Sequence, residues 1–125
     1  MRSGGAGDTS NLMAVGLTTI PLGVYTVNMQ IIPEPTEFEW DEGNLNKNQL
    51  KHEVENQEIE EVFFNLPVLV LPDQQHSKTE VRYLILGQTD KKRRLSIIFT
   101  IRKTKIRVIS ARPMSIKEKK FYETR

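Results

Sequence analysis

The run of residues 81–111 constrains the fold more than any other part of the sequence. It contains three stretches of strand character, separated by a charged turn at residues 89–94 and a short turn at residues 103–104. In the second stretch, apolar residues occupy every other position from Leu95 to Ile101, which is the period of a strand with one apolar face. Strands joined by turns this short must pair antiparallel. The sequence therefore predicts an antiparallel sheet.

Two helices are predicted ahead of this sheet. Residues 38–40 alternate apolar and polar as a short strand, and Asp41 suits the capping position of a helix that runs to about His52. A second helix, ending at Pro67, is indicated by an apolar stripe at the spacing i, i+3, i+4 and i+7. The stripe is formed by Ile59, Val62, Phe63 and Leu66.

A fourth strand and a third helix complete the predicted order. Residues 68–71 are a brief apolar run between prolines, which indicates the fourth strand. Ser115 and Glu118 have the S-x-x-E spacing of a capping box, which predicts a C-terminal helix. The predicted fold class is α+β, with an antiparallel sheet of about four strands, two N-terminal helices and one C-terminal helix.

The first 36 residues differ in composition from the rest of the 125-residue chain. They are rich in Gly, Ser, Thr and Pro, they show no sustained periodicity, and Pro33 and Pro35 disfavour helix at their end. We therefore expect residues 1–36 to be a disordered or non-native N-terminal tail and residues 37–125 to form one domain. No stretch of this chain is apolar and long enough to suggest a membrane span. The absence of cysteine excludes disulfides and fits a reducing compartment, so we expect the protein in the cytoplasm.

The two signs of charge are segregated along the chain. Residues 37–90 contain four Lys or Arg against twelve Asp or Glu, and residues 91–125 contain thirteen Lys or Arg against two Glu. A basic third that folds onto one face would bind a polyanion. The alternative is a solvated charged surface on which acidic helices lie across a basic sheet.

Several enzyme constellations are absent from the sequence. It contains no P-loop, no dinucleotide fingerprint and no G-x-S-x-G motif. His52 and His76 have no carboxylate or second histidine at a recognised metal-ligand spacing. The acidic residues Glu58, Glu60 and Glu61 have the spacing of a solvated helix face. We therefore expect neither a metal nor a cofactor.

After these exclusions, the candidate functional residues are cations and titratable groups at the ends of predicted helices and strands. Such a set suits metal-independent cleavage of RNA, in which the 2′-OH attacks its own phosphate. That reaction needs a proton acceptor, a proton donor and fixed positive charge around the phosphate. The alternative for each residue is a surface ion pair worth about 0–1 kcal/mol. The candidates are Lys51, His52, Glu80, Arg82, Arg102 and Arg112.

The ordered pattern of residues 38–123 closely resembles the BrnT toxins of type II toxin-antitoxin systems. The residues that carry the resemblance are Phe38-Glu39-Trp40-Asp41, Asn48, Lys51-His52, Glu61-Val62-Phe63-Phe64, Asp73, His76-Ser77, Glu80, Arg82-Tyr83, Gly87, Phe99-Thr100-Ile101-Arg102, Ile106-Arg107-Val108-Ile109-Ser110-Ala111-Arg112, Glu118 and Tyr122-Glu123. The resemblance implies a RelE-like fold and RNA cleavage that halts translation. It also implies a cognate BrnA-like antitoxin, which is a ribbon-helix-helix protein. The toxin would then contact DNA only indirectly, through this antitoxin.

The favoured interpretation is a metal-independent endoribonuclease. In it Arg82, Arg102 and Arg112 bind the phosphate, Lys51 does the same or transfers a proton, and either His52 or Glu80 acts as acid or base. The competing interpretation is a catalytically inert or attenuated homologue that binds the antitoxin. A sequence-specific RNA-binding module is disfavoured because the predicted sheet lacks interleaved aromatic residues.

Two positions depart from the family pattern. Glu53 stands where the family usually has Gly after the Lys-His pair, and Asn56 replaces an apolar residue. A left-handed helix stop at Glu53 would cost on the order of 1–2 kcal/mol. Both departures fall at the junction that holds Lys51 and His52, which leaves an attenuated toxin open.

Overall fold

The computed structural model describes residues 31–73 and 79–124 of the chain. Within these residues three helices flank a four-stranded sheet of order β1-β2-β3-β4, in which every neighbouring pair is antiparallel. The predicted α+β class, with two helices before the sheet and one after it, is confirmed. The elements are α1 (Lys47–His52), α2 (Asn56–Phe64), β1 (Leu69–Pro72), β2 (Arg82–Gln88), β3 (Arg94–Arg102), β4 (Lys105–Pro113) and α3 (Ile116–Glu123).

One face of the sheet forms the main core with α2. The predicted alternation in β3 is confirmed, since Leu95, Ile97 and Phe99 are buried on this face. The ring of Phe63 on α2 packs edge-on against Phe99, with the ring centroids 5.1 Å apart. Burial of these aromatic and aliphatic side chains is the main favourable contribution to folding.

The second face of the sheet is covered at one end by α3. The capping box predicted there is confirmed, because Ser115 accepts a hydrogen bond from the Glu118 N–H and Glu118 accepts one from the Ser115 N–H. Tyr122 packs with Leu69 and Leu86, and its hydroxyl donates to the Pro67 carbonyl at 2.6 Å. The opposite end of this face is left for polar side chains.

Two predicted helices are shorter than their patterns indicated. The first begins at Lys47 rather than near Asp41, because residues 42–46 form turns and Asn46 is left-handed with φ 59°. The second ends at Phe64, so Leu66 lies beyond the helix and is 68% exposed. The predicted membership of Leu66 in the buried stripe is therefore wrong.

The segment before α1 lies along the free edge of β4. Phe38 forms a parallel bridge with Ile106, through hydrogen bonds from the Glu39 N–H to the Ile106 carbonyl and from the Ile106 N–H to the Glu37 carbonyl. Ile32, five residues ahead of the predicted domain start, is buried in the core. Most of the predicted tail, residues 1–30, lies outside the described residues. Among the described helices, none has the length and apolar character needed to cross a membrane.

Helix α1 ends at a left-handed residue, as the sequence suggested. Glu53 has φ 58° and ψ 38°, and its N–H bonds to carbonyls of the helix. The second departure, Asn56, exchanges hydrogen bonds with Asn46, from Asn56 Nδ2 to Asn46 Oδ1 at 3.1 Å and from the Asn46 N–H to Asn56 Oδ1 at 3.4 Å. The side chain of Asn56 therefore links the start of α2 to the residue that precedes α1.

Replacing Glu53 by glycine is expected to stabilise the protein by about 1 kcal/mol, because glycine has no Cβ to crowd the left-handed backbone. A thermal melt measures the change as a rise of a few degrees. Glu53→Ala is the matched control, since it removes the same charge but keeps the Cβ. If the melting temperatures of both variants rise equally, the cause is the loss of the charge rather than the relief of backbone strain.

Candidate active site

The strand register brings basic side chains together on the second face of the sheet. Arg82 on β2 lies opposite Thr100 on β3, and Thr100 lies opposite Arg107 on β4. Residues directly opposite each other share a face, with Cβ atoms about 4.5–5.5 Å apart. Arg102 follows Thr100 by two positions and therefore projects from the same face. We call Arg82, Arg102 and Arg107 the arginine cluster.

Glu80 is a carboxylate that contacts two members of the arginine cluster. Its two oxygens accept hydrogen bonds from Nε and Nη2 of Arg102, each at 3.2 Å, and one oxygen lies 3.8 Å from Nη2 of Arg82. The hydrogen bonds from Arg102 hold the pKa of Glu80 below its usual value, and the charges of Arg82 and Arg107 lower it further. Glu80 is therefore ionised at neutral pH. The structure brings together three of the predicted site residues here, namely Glu80, Arg82 and Arg102.

Arg107 is a member of the cluster that is not among the site residues predicted from the sequence. Its guanidinium donates to both oxygens of Asp41, at 2.8 and 3.0 Å, and lies 3.5 Å from Glu39. These hydrogen bonds lower the pKa of Asp41. A Cβ at Gly43 would lie 2.9 Å from Arg107 Nη2, so a glycine there lets the guanidinium approach. The sequence did contain evidence for the position of Arg107. The two-residue turn at 103–104 sets the strand register, and in this register Thr100 pairs with Arg107.

Side chains of the α1 segment bind the outer edge of β4. Asn44 Nδ2 donates to the Val108 carbonyl at 3.3 Å, Lys47 Nζ donates to the Ile109 carbonyl, and Asn48 Oδ1 accepts the Ala111 N–H at 3.0 Å. The register between β3 and β4 shifts between Ile98 and Phe99, which leaves Ile109 as the extra residue of a β-bulge. Neither Lys47 nor Asn44 is among the site residues predicted from the sequence.

Lys51 and His52 occupy the last turn of α1. Because α1 and β4 run in the same direction along their contacts, this turn lies toward the Ala111 end of β4. Lys51 is exposed and His52 is half-buried. Among residues 31–73 and 79–124, no hydrogen bond or ion pair joins either side chain to Glu80.

Arg112 lies at the opposite end of the face from the arginine cluster. It pairs with Ser96, which is four positions along β3 from Thr100, a separation of about 13 Å. Its guanidinium donates to both carboxylate oxygens of Glu118, at 2.8 and 2.9 Å. Burial raises the pKa of Glu118, but the hydrogen bonds from Arg112 and the Ser115 N–H bring it below its usual value. Arg112 is thus tied to the capping box of α3.

In the folded protein, ion pairs join residues of the basic segment, 91–125, to residues of the acidic segment, 37–90. Arg93 pairs with Glu58, and the Arg102 and Arg107 pairs above likewise join the basic segment to the acidic one. Around the arginine cluster, however, cations outnumber carboxylates, because Lys105 lies opposite Arg102 in the register and Lys47 approaches from α1. This end of the face therefore carries arginines paired with carboxylates together with additional cations.

The described residues contain no group of three His, Asp or Glu side chains placed to hold a metal ion. His76 falls outside the described residues. The side chains available at the arginine cluster are thus guanidinium, ammonium and carboxylate groups.

A small α+β domain with arginines on one sheet face and an ionised carboxylate beside them carries the groups with which proteins bind phosphate esters. A family model described as the ribonuclease toxin BrnT of type II toxin-antitoxin systems matches residues 40–118, more than half of the chain. The chain belongs to this family of ribonuclease toxins. The match includes all six predicted site residues. No curated protein sequence matches the chain.

Proposed function

We propose that this protein is the toxin of a type II toxin-antitoxin pair and cleaves RNA endonucleolytically, without a metal, to inhibit translation. The observation that carries the proposal is the ionised Glu80 carboxylate held among the arginines of the cluster. A carboxylate accepts a proton, and guanidinium groups bind phosphate through paired N–H donors. The arginines project from one sheet face, and Glu80, two residues before β2, contacts Arg82 and Arg102 there.

In the proposed reaction Glu80 accepts the proton of the RNA 2′-OH. The 2′-oxygen then attacks the adjacent phosphorus, and Arg82 and Arg102 stabilise the charge that develops on the phosphate oxygens. The side chains of Arg82 and Arg102 are 29% and 48% exposed, so RNA phosphates reach them from solvent. Lys51, His52 and Arg112, toward the other end of β4, bind the flanking RNA or serve the same chemistry when RNA is bound.

The family supports the proposed partners. A type II toxin acts with a protein antitoxin, and we propose a BrnA-like ribbon-helix-helix protein that alone connects the toxin to DNA. RNA is the proposed substrate, and the cytoplasm is the proposed site of action. Residues 37–125 are the proposed toxin domain; of the proposed tail, residues 1–36, the end around Ile32 packs against this domain.

Cleavage of RNA by the purified full chain is expected to persist in excess EDTA, because the proposed acid–base and cationic groups all come from side chains. The products are expected to carry 2′,3′-cyclic or 3′-phosphate ends, since the 2′-oxygen displaces the 5′-oxygen. Gel analysis with end-group mapping measures both. Cleavage that stops in EDTA and returns with magnesium, or 3′-hydroxyl products, would refute this mechanism.

A second candidate function is an inert or attenuated homologue that only binds the antitoxin. It is favoured by the internal carboxylates that occupy the guanidiniums of Arg107 and Arg112, and by the strained residue Glu53. The cleavage assay separates the two, because the inert protein would bind antitoxin but leave RNA intact.

A further inference from the structure

The proposed reaction needs a proton donor that the arginine cluster does not supply. The 5′-oxygen leaves as an alkoxide unless it is protonated, and a guanidinium does not release its proton near neutral pH. Glu80, being ionised, can accept a proton but has none to give. A second acid–base group must therefore stand close to the same phosphate.

Lys47 reaches this region from α1 across the edge of β4. Its Nζ donates to the carbonyl of Ile109, the extra residue of the β-bulge. Ile109 is two positions beyond Arg107 on the same strand. The bulge thus gives the ammonium group an anchor near the cluster, and this anchor uses only one of its three N–H donors.

Lys47 and Glu80 share the same neighbouring charges. Arg82 and Arg107 act electrostatically on Lys47, and the same two residues act on Glu80. The two guanidiniums are brought into one row by their common partner in the register, Thr100. The Lys47 ammonium and the Glu80 carboxylate thus both lie within electrostatic reach of the same two arginines, and acid–base catalysis at one phosphate needs a proton donor and a proton acceptor near the same cations.

We propose that Lys47 is the general acid of the cleavage reaction. This inference rests on the proposed function and adds a catalytic residue to it. The Glu80 carboxylate takes the 2′-hydroxyl proton as the bond from the 2′-oxygen to phosphorus forms. The bond from phosphorus to the 5′-oxygen breaks, and that oxygen receives a proton from the Lys47 ammonium. The products are a 2′,3′-cyclic phosphate, a 5′-hydroxyl, protonated Glu80 and neutral Lys47, and exchange with water restores both side chains.

The surroundings of Lys47 favour this role. Partial burial lowers its pKa, and the positive charges of Lys51, Arg107 and Arg82 lower it further. A lysine ammonium with a lowered pKa gives up its proton more readily than an ordinary surface lysine. Lys51, one helical turn away, contributes through its charge.

A change of leaving group tests the proposal. We compare the full-length wild-type protein with Lys47→Arg on an RNA that the wild type cuts, and on the same RNA with sulfur in place of the bridging 5′-oxygen at the cut bond. A thiolate leaves without being protonated, so the sulfur substrate does not need the general acid. Lys47→Arg keeps the positive charge but cannot donate a proton near neutral pH. Its kcat on ordinary RNA is expected to fall at least a hundredfold, while its rate on the sulfur substrate stays within a few-fold of wild type.

The controls separate this proposal from the proposed function. Lys119→Arg, on the exposed surface of α3, is expected to cut both RNAs like the wild type. If Lys47→Arg cuts ordinary RNA normally, or is slowed equally on both substrates, Lys47 is not the general acid, although the ribonuclease assignment stands. A wild-type protein that cuts neither RNA overturns the proposed function and this inference together.

Discussion

Replacing Arg82 by alanine is expected to reduce RNA cleavage about a hundredfold or more, and to abolish most growth inhibition, while the protein stays folded. Loss of a donor that stabilises transition-state charge costs roughly 3–4 kcal/mol of activation free energy. Loss of a partly exposed ion pair costs at most about 1 kcal/mol of stability. The position of Arg82 beside Glu80 places it at the proposed phosphate, so the larger effect is expected.

The test combines a cleavage rate, growth on induction and a thermal melt for each variant. Arg94→Ala is the control, because Arg94 lies at the other end of β3, paired with Glu123 and 5.5 Å from the Tyr122 ring centroid. We expect the Arg94→Ala protein to be somewhat less stable than the wild type but to keep most of its activity. If Arg82→Ala remains fully toxic, or loses toxicity only by unfolding, the assignment of Arg82 should be withdrawn.

Arg112→Ala distinguishes catalysis from helix capping at the other end of the face. A catalytic Arg112 predicts the same hundredfold loss of rate. A structural Arg112, bonded to Glu118 at 2.8 and 2.9 Å, predicts instead a small loss of stability. Glu118→Gln is the informative companion, because it weakens the same pair without removing the guanidinium. Full activity in Arg112→Ala would remove it from the site.

Replacing Phe99 by alanine is expected to lower the free energy of unfolding by about 3–5 kcal/mol, the usual cost of a large-to-small change at a buried aromatic residue. Phe99 is fully buried, and its ring centroid lies 5.1 Å from that of Phe63 and 5.5 Å from that of Tyr83. Its neighbour Thr100 occupies the row between Arg82 and Arg107.

Urea denaturation measures the change in the free energy of unfolding. Phe64→Ala is the matched control, since Phe64 is 62% exposed and its ring centroid lies 6.3 Å from that of Phe38. We expect the control to cost less than about 1 kcal/mol. Equal losses in the two variants would contradict the assignment of Phe99 to the main core.

The sequence alone determined the order and kind of the elements. The short turns required antiparallel pairing, the alternation from Leu95 to Ile101 indicated the buried face of β3, and the Ser115–Glu118 spacing predicted the capping box. It also carried the resemblance that the match over residues 40–118 confirms. These features are local in the chain, so neighbouring residues encode them.

The tertiary structure decided the limits of the helices and the membership of the site. Leu66 lies outside the buried stripe because Asn65 has an extended backbone. Helix α1 begins later in the chain than predicted because Asn46 is left-handed. Arg107 meets Asp41 across 66 positions of sequence, and Lys47 meets Ile109 across 62. Such contacts depend on strand register and on a single bulged residue in β4. No periodicity within one element specifies them, because they arise only when separate elements pack together.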